Sequence, residues 1–164
     1  MKEDISYKRI IDSEINKLTE KDFEAIKKIS YNFNKKKAIR KFNRNKLFFP
    51  GNHYLYFIYV NGNIVGYLSG IKTKNKFNVD WLRIHRDYRD KKLATKLMAR
   101  VFADLRVNGI KKFVSKEHTY QIKHIFNNLI NERKGKQLYD MKTKQPKMND
   151  LKYSYRTDVK IKRK

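Results

Sequence analysis

The sequence predicts a single domain of the α/β (α+β) class over residues 1–164, with a basic and frayed tail from about residue 160. Strand-like and helix-like segments follow one another in the order β-αα-βββ-α-β-α-ββ. An Asn-Gly pair at residues 61–62 separates two β-rich runs, which is a strong hairpin signal. Over residues 80–98 a strand pattern passes through a basic turn into helical spacing.

The N-terminal part is predicted to be a strand followed by two helices. Residues 5–11 alternate as a strand does, and Thr19 to Asp22 resembles a helix-starting capping box. Leu18 and Phe23 occupy the positions of a hydrophobic staple around Thr19. The lysine-rich stretch 34–46 is predicted to be a short second helix.

Three strands are predicted next. The apolar run 53–60 and the run 63–71 form the hairpin around Asn61-Gly62, and residues 76–84 form the next strand. Gly66 and Gly70 lie inside the second run, where glycine indicates a bulge or a close backbone approach. The tyrosines of these runs are expected to pack in the core and on the sheet faces.

The segment 80–98 is the candidate functional site. Trp81 to Ile84 end a strand, a basic turn runs from Arg89 to Lys92, and a helix is expected to about Asn108. The apolar residues of that helix recur at helical spacing, namely Leu93, Leu97, Val101 and Leu105. A strand that turns directly into a helix leaves unpaired backbone N–H groups at the helix start, and these groups favour an anion.

The C-terminal part is predicted to be a strand, a helix and two further strands. The strand covers residues 111–115, and Thr119 is expected to cap the helix. That helix has an apolar stripe at i, i+3, i+4, i+7 and i+8, formed by Ile122, Ile125, Phe126, Leu129 and Ile130. The last two strands are placed at residues 137–141 and 151–161.

The segment 80–98 resembles the acyl-CoA-binding motif of the GNAT superfamily of N-acyltransferases. The residues that fit this motif are Leu82, Ile84, Tyr88, Arg89, Leu93, Ala94, Thr95, Leu97 and Met98. Arg86 departs from the motif where proline is common, and Lys92 departs where glycine is common. The element order also matches the GNAT topology. The resemblance therefore implies a central, mixed, mostly antiparallel twisted sheet of six to seven strands flanked by about four helices.

The resemblance implies that acetyl-CoA is the acyl donor. The main chain of Leu82, Arg83 and Ile84 would pair with the pantetheine arm. The turn and helix start would hold the pyrophosphate, through the backbone and side chains of Arg89, Asp90, Lys91, Lys92, Leu93, Ala94 and Thr95. Arg89, Lys91 and Lys92 would add positive charge, and the Thr95 hydroxyl would donate one more hydrogen bond.

The catalytic groups are less well defined. GNAT proteins commonly place a proton-donating tyrosine in the helix after the fifth strand, where the alignment puts Phe126, a residue that cannot donate a proton. Tyr120 is the first candidate substitute, although an exposed tyrosine at the helix start is the favoured alternative, and Tyr139 is a weaker candidate. Asp80 is the candidate base that takes the amine proton, although an ion pair with a neighbouring cation is an equal alternative. The remaining candidates are His85 and Glu117.

The composition excludes several classes of function. Without cysteines the chain has no disulfides, thiolate metal sites or cysteine nucleophiles, and the spacing of its four histidines does not predict a metal site. No apolar run is long enough to span a membrane, and the first residues carry no apolar signal region, so a cytoplasmic protein is expected. No serine stands in a hydrolase motif.

The formal net charge of +25 predicts an anionic partner. Residues 1–24 hold seven acidic and five basic side chains, so the excess of positive charge lies in the rest of the chain. Polycationic acceptors become unfavourable, whereas nucleic acid, ribosomes, acidic proteins or anionic small molecules are favoured. The candidate contact surface comprises Lys35, Lys36, Lys37, Arg40, Lys41 and Arg44. The alternative is that the lysines reflect an AT-rich genome.

Three functions remain open from the sequence. The first is an acetyl-CoA-dependent N-acetyltransferase whose amine acceptor is carried by a protein, a ribosome or an aminoacyl-tRNA. The second is a catalytically weakened GNAT scaffold that binds nucleic acid or a ribosome, which Phe126 favours. The third is a small-molecule N-acetyltransferase with an anionic substrate. Either a monomer or a homodimer is compatible with the sequence.

Overall fold

The computed structural model describes residues 2–30, 36, 40, 52–118, 120–131, 139–144 and 155–162. The strands are β1 (Ile5–Ile11), β2 (His53–Val60), β3 (Asn63–Thr73), β4 (Lys76–Ile84), β5 (Lys112–His118), β6 (Tyr139–Lys144) and β7 (Tyr155–Ile161). The α-helices are α1 (Glu20–Ile29), α2 (Leu93–Val107) and α3 (Tyr120–Asn131). Short 3₁₀ helices cover Asp12–Lys17 and Arg86–Tyr88.

The strands form one mixed sheet in the order β1-β2-β3-β4-β5-β7-β6. β4 and β5 run parallel, whereas β1 with β2, β2 with β3, β5 with β7 and β6 with β7 run antiparallel. The predicted mixed, mostly antiparallel sheet is therefore confirmed. The chain divides into two compact units. The first comprises Met1–Ile71 with Asp80–Leu97, and the second comprises Lys72–Val79 with Met98–Lys164.

In the first unit α1 packs its apolar side into a core that includes residues of β1, β2 and β3. The predicted capping box starts the helix: the Asp22 N–H donates to Thr19 Oγ1 (3.2 Å), and the Thr19 N–H donates to Asp22 Oδ2 (2.8 Å). Phe23, Ile26 and Ile29 are the buried residues of this helix. Both predicted staple residues, Leu18 and Phe23, are buried.

The hairpin between β2 and β3 turns at Asn61 and Gly62, as predicted. Both residues have positive φ angles, 49° and 76°, as a type I′ turn requires. Farther along the hairpin Ile58 faces Gly66 while Tyr59 faces Ile64, so one extra residue bulges out of β3. The bulge predicted for this strand therefore adjoins Gly66.

In the second unit four phenylalanines form the centre of the core. Phe77, Phe102, Phe113 and Phe126 are all fully buried. The rings of Phe102 and Phe113 meet edge to face, with their centroids 4.7 Å apart. Each ring comes from a different element, so this cluster joins β4, α2, β5 and α3.

Most predicted boundaries agree with the structure, and the differences lie at short elements. β5 continues to His118, whereas the sequence predicted its end at residue 115. β6 continues to Lys144, beyond the predicted end at residue 141, and the predicted first residues of β6 and β7 lie outside the described residues. Neither 3₁₀ helix was predicted, because three to six residues are too short to show a helical period.

Of the helix predicted over residues 34–46, the structure describes Lys36 and Arg40, which are both helical and exposed. The rest of this stretch, including Lys35, Lys37, Lys41 and Arg44, lies outside the described residues, as does Thr119. Within the described part of the chain, no helix is both long and apolar enough to cross a bilayer.

Candidate cofactor site

The end of β4 forms one wall of the site. β4 pairs with β5 from Lys76 opposite Lys112 to Val79 opposite Ser115, and its strand continues to Ile84. At the far end the His85 N–H donates to the Val65 carbonyl (2.8 Å), which fixes the strand end against β3.

Gly66 permits this close approach of β3 and β4. A Cβ atom at Gly66 would overlap with Ile84 Cδ1 and would lie 2.9 Å from the Arg83 carbonyl oxygen. Any side chain at this position would therefore push away the strand segment that the sequence assigns to the cofactor.

A tight loop follows β4. The 3₁₀ helix Arg86–Tyr88 is capped by His85, whose Nδ1 accepts a hydrogen bond from the Asp87 N–H (3.3 Å). The Arg89 side chain folds back and donates from Nε to the Ile84 carbonyl (3.3 Å). This bond ties the loop to the end of the strand, so Arg89 positions the loop in addition to supplying charge.

The loop adopts a left-handed backbone at two residues. Asp90 has φ 61° and Lys92 has φ 57°. Glycine suits such angles because it has no Cβ, and the resemblance places glycine at position 92. The lysine therefore adopts a backbone conformation that suits the glycine common at this position. Left-handed residues between right-handed ones form backbone nests that bind anions.

The loop from Arg89 to Lys92 and the first turn of α2 together form a candidate phosphate cradle. The earliest hydrogen bond of this helix runs from the Lys96 N–H to the Lys92 carbonyl (3.0 Å). The N–H groups of Leu93, Ala94 and Thr95 precede it and have no acceptor earlier in the helix. Leu93 is buried at 2% exposure and anchors the turn, whereas Ala94 and Thr95 are partly exposed.

One of the predicted cofactor cations already has an acidic partner. Lys91 Nζ lies 3.1 Å from Glu3 Oε1 and 5.2 Å from the ring centroid of Tyr88. Both side chains of the ion pair are about half exposed, so the pair contributes at most about 1 kcal/mol. A phosphate could displace Glu3 at little cost.

The candidate catalytic residues lie on separate elements. Asp80 is exposed on β4 in the first unit. Tyr120 is the first residue of α3 in the second unit, and its side chain lies outside the described residues. His85 is partly buried, whereas the side chains of Glu117 and Tyr139 are not described.

Phe126 is a core residue in the second unit. It is fully buried, with its ring centroid 5.7 Å from that of Phe113 and 6.3 Å from that of Phe102. The ring of Phe126 therefore belongs to the aromatic cluster of the core. Among the described residues, no three His, Cys, Asp or Glu side chains are grouped as metal ligands.

Sequence reasoning did not single out the pair formed by Trp81 and Arg83. Both side chains are exposed, and the guanidinium carbon of Arg83 lies 4.8 Å from the Trp81 ring centroid. Residues two apart on a strand share a face, so the spacing itself was the available signal.

Comparison with known proteins identifies the family. The model of the acetyltransferase (GNAT) family matches residues 14–123, about two thirds of the chain. The chain belongs to the acetyltransferase (GNAT) family. A search of curated protein sequences found no significant match.

Solved structures share this fold at low sequence identity. The diaminobutyrate acetyltransferase EctA from Paenibacillus lautus, solved with L-2,4-diaminobutyric acid and coenzyme A, is 8% identical, covers 98% of this chain and 96% of its own, and has a TM-score of 0.65. The ribosomal-protein-S18-alanine N-acetyltransferase from Escherichia coli is 10% identical over 95% and 93%, with a TM-score of 0.60. The PaiA N-acetyltransferase from Thermoplasma acidophilum, in complex with coenzyme A, is 12% identical over 96% and 99%, with a TM-score of 0.58.

Proposed function

We propose that the protein is an acetyl-CoA-dependent N-acetyltransferase. The observation that carries this proposal is the loop from Arg89 to Thr95, which combines two left-handed residues with the open N–H groups of α2. This backbone fits a pyrophosphate without relying on particular side chains. Membership of the GNAT family supports the same cofactor.

Acetyl-CoA would supply the activated acetyl group. The main chain of Leu82, Arg83 and Ile84 would bind its pantetheine arm, and the loop would bind its phosphates. Asp80 would take the proton of the acceptor amine, directly or through water. Tyr120 would give a proton to the departing thiolate. The protein is also proposed to be cytoplasmic, and to be either a monomer or a homodimer.

The acceptor is proposed to be an amine on an anionic carrier, namely a protein, a ribosome or an aminoacyl-tRNA. The net charge of +25 supports this class, because such a field attracts polyanions and repels polycations. Lys36 and Arg40, the two described members of the predicted basic surface, are both exposed.

Two alternative functions have support of their own. A catalytically weakened scaffold that binds nucleic acid or a ribosome is favoured by Phe126, which is buried where the family alignment places a proton donor. A small-molecule N-acetyltransferase is compatible with the fold shared with EctA, which was solved with a small amine.

Thermal unfolding with acetyl-CoA tests the cofactor site. A bound ligand at about 100 times its Kd stabilises a protein by about 2.7 kcal/mol, so a clear rise of Tm is expected. Ala94→Glu places a carboxylate in the cradle and should abolish the rise. Ala99→Glu makes the same change at an exposed position of α2 and should preserve it. If acetyl-CoA leaves Tm of the unmodified protein unchanged, the cofactor site is refuted.

Substitution of Asp80 tests the proposed base. Asp80→Asn should lower kcat by about 10²- to 10⁴-fold, because the amide cannot accept the amine proton. The rise of Tm with acetyl-CoA should persist, since Asp80 precedes the segment that binds the cofactor. An unchanged kcat would eliminate Asp80 as the base and leave His85 and Glu117 as candidates.

A further inference from the structure

An exposed aromatic ring and a cation form a pair on β4. Trp81 is 50% exposed, an unusual exposure for so large an aromatic side chain. The guanidinium carbon of Arg83 lies 4.8 Å from its ring centroid, within the range of a cation–π contact. The guanidinium therefore contacts an indole ring that is still half exposed.

A buried tyrosine adjoins this pair. Tyr67 lies on β3, the strand next to β4 in the sheet. Tyr67 is 8% exposed. Burial raises the pKa of its phenol, and the positive charge of Arg83 acts in the opposite direction. Arg83 thus acts on two aromatic side chains, an exposed indole and a buried phenol.

This combination matches the chemistry of unpaired nucleotides. Proteins bind single-stranded nucleic acid with aromatic rings on which bases stack and with cations that follow the phosphates. A guanidinium pairs with phosphate through two parallel N–H groups. An acidic peptide would satisfy Arg83 but would make no comparable use of the indole ring.

We propose that Trp81 and Arg83 form a binding face for an unpaired nucleotide of a single-stranded nucleic acid. The base stacks on Trp81 and the phosphate pairs with Arg83. The net charge of +25 attracts the strand from a distance. This face shares no residue with the basic surface predicted over residues 35–44.

The inference goes beyond the proposed function. Trp81 is flanked in the chain by Asp80, the candidate base, and by Leu82, whose main chain is assigned to the pantetheine arm. Neighbouring side chains of a strand point to opposite faces, so a nucleotide on Trp81 would lie on the face of β4 opposite the Asp80 carboxylate. The binding therefore does not depend on the proposed function.

Fluorescence gives a direct readout, because Trp81 is the only tryptophan in the chain. Oligothymidylate is titrated into the full-length protein without acetyl-CoA, and stacking should quench the Trp81 emission. Because acetyl-CoA is absent, failure of the cofactor site cannot mimic failure of this face. A separate Tm measurement with acetyl-CoA reports on the proposed function.

Two arginine variants separate a specific phosphate contact from general charge. For each phosphate contact that the protein loses, the magnitude of the slope of log K against log salt decreases by about 0.7 for single strands. Arg83→Gln should reduce the slope by about this amount. Arg86→Gln removes the same charge from a side chain that is 84% exposed, and it should leave the slope unchanged.

The aromatic contribution is tested with a labelled oligothymidylate, whose anisotropy needs no tryptophan. Trp81→Ala should weaken binding about 5- to 150-fold, the loss expected for one stacked base, and Trp81→Phe should restore most of it. Tm of each variant without ligand verifies that it folds.

Four outcomes would overturn the proposal. The first is an emission that oligothymidylate does not change at about 50 mM salt. The second is an equal loss of slope in Arg83→Gln and Arg86→Gln. The third is an oligoglutamate of matched charge that binds as tightly, which would indicate an acidic protein partner. The fourth is full competition between acetyl-CoA and oligothymidylate, which would assign Trp81 to the adenosine end of the cofactor.

Discussion

At the residue scale, Lys92 shows that a motif position can keep its geometry after losing its usual residue. Its φ of 57° lies in the left-handed region, where a side chain costs about 1–2 kcal/mol. A lysine here accepts that cost but adds an ammonium group beside the proposed phosphate cradle. The two contributions can be separated, because one belongs to the backbone and the other to the charge.

Lys92→Gly should raise the free energy of unfolding by up to about 1 kcal/mol, since the relief of strain exceeds the extra chain entropy of glycine. Lys92→Ala is the matched control, because it removes the same charge but keeps the Cβ atom. Denaturant unfolding measures the difference between the two variants. If both bind acetyl-CoA more weakly than the unmodified protein by the same factor, the ammonium contacts the cofactor. If alanine is as stable as glycine, the strain is absent.

Tyr67 is expected to lower the stability of the fold at alkaline pH. Burial raises the pKa of Tyr67 above 10.0, although a hydrogen bond with Ser30 and the charge of Arg83 partly oppose this. The folded protein therefore keeps the phenol protonated where the unfolded chain ionises it. Stability is unaffected below about pH 10 and falls as the pH rises through the folded pKa.

Tyr67→Phe should flatten this decline, because phenylalanine has no proton to lose. Denaturation midpoints measured between about pH 8 and about pH 11 provide the comparison, and Tyr7→Phe, on a ring that is 36% exposed, serves as control. Burial, and to a smaller extent the charge of Asp22, also raises the pKa of Tyr59. Some decline of stability with pH should therefore remain in the Tyr67 variant. An unchanged slope in Tyr67→Phe would contradict the assignment.

At the element scale, the position of β4 depends on what β3 lacks. Gly66 lets the two strands approach where Arg83 and Ile84 end the strand. The segment proposed to bind the cofactor is therefore positioned by a glycine of the neighbouring strand.

Gly66→Ala should lower the free energy of unfolding by about 1–3 kcal/mol, because the new Cβ meets both a side chain and a backbone carbonyl. It should also weaken acetyl-CoA binding by displacing the Ile84 main chain. Ile84→Ala removes one of the three obstacles, the others being the Arg83 carbonyl and Ile58 Cγ2, so the double variant should lose less stability than the sum of the single losses. Strict additivity in this double-mutant cycle would indicate that the two residues do not meet.

At the scale of the whole molecule, the excess of positive charge is not confined to the surface of helices. In the second unit Lys76 faces Lys112 across β4 and β5, and Lys112 faces Lys160 across β5 and β7. Three like charges therefore stand side by side across three strands, an arrangement that destabilises a sheet.

Lys112→Glu should raise the free energy of unfolding by about 0.5–2 kcal/mol, because a carboxylate then lies between two ammonium groups. Lys111→Glu changes the net charge equally but lies outside this row. The difference in Tm between the two variants should shrink as salt rises from about 0.1 M to about 1 M, where the Debye length falls to about 3 Å. Equal effects of both substitutions would show that only net charge matters.

The sequence predicted the parts of the fold that depend on local patterns. The capping box at Thr19, the Asn61-Gly62 turn and the strand from Lys76 to Ile84 all obey short-range rules. It did not predict the left-handed angles at Asp90 and Lys92, because neither residue is glycine. It did not predict the pairing of Lys91 with Glu3, since the two residues are 88 positions apart. The catalytic roles of Asp80 and Tyr120 stay predictions.

The residues before β1 connect two loops of the first unit. The Asp4 N–H donates to Asn61 Oδ1 (3.0 Å), and the Asn61 N–H donates to the Asp4 carbonyl (2.8 Å), while Glu3 bonds Lys91. Deletion of Glu3 and Asp4 would therefore disturb the hairpin turn and the candidate cofactor loop together.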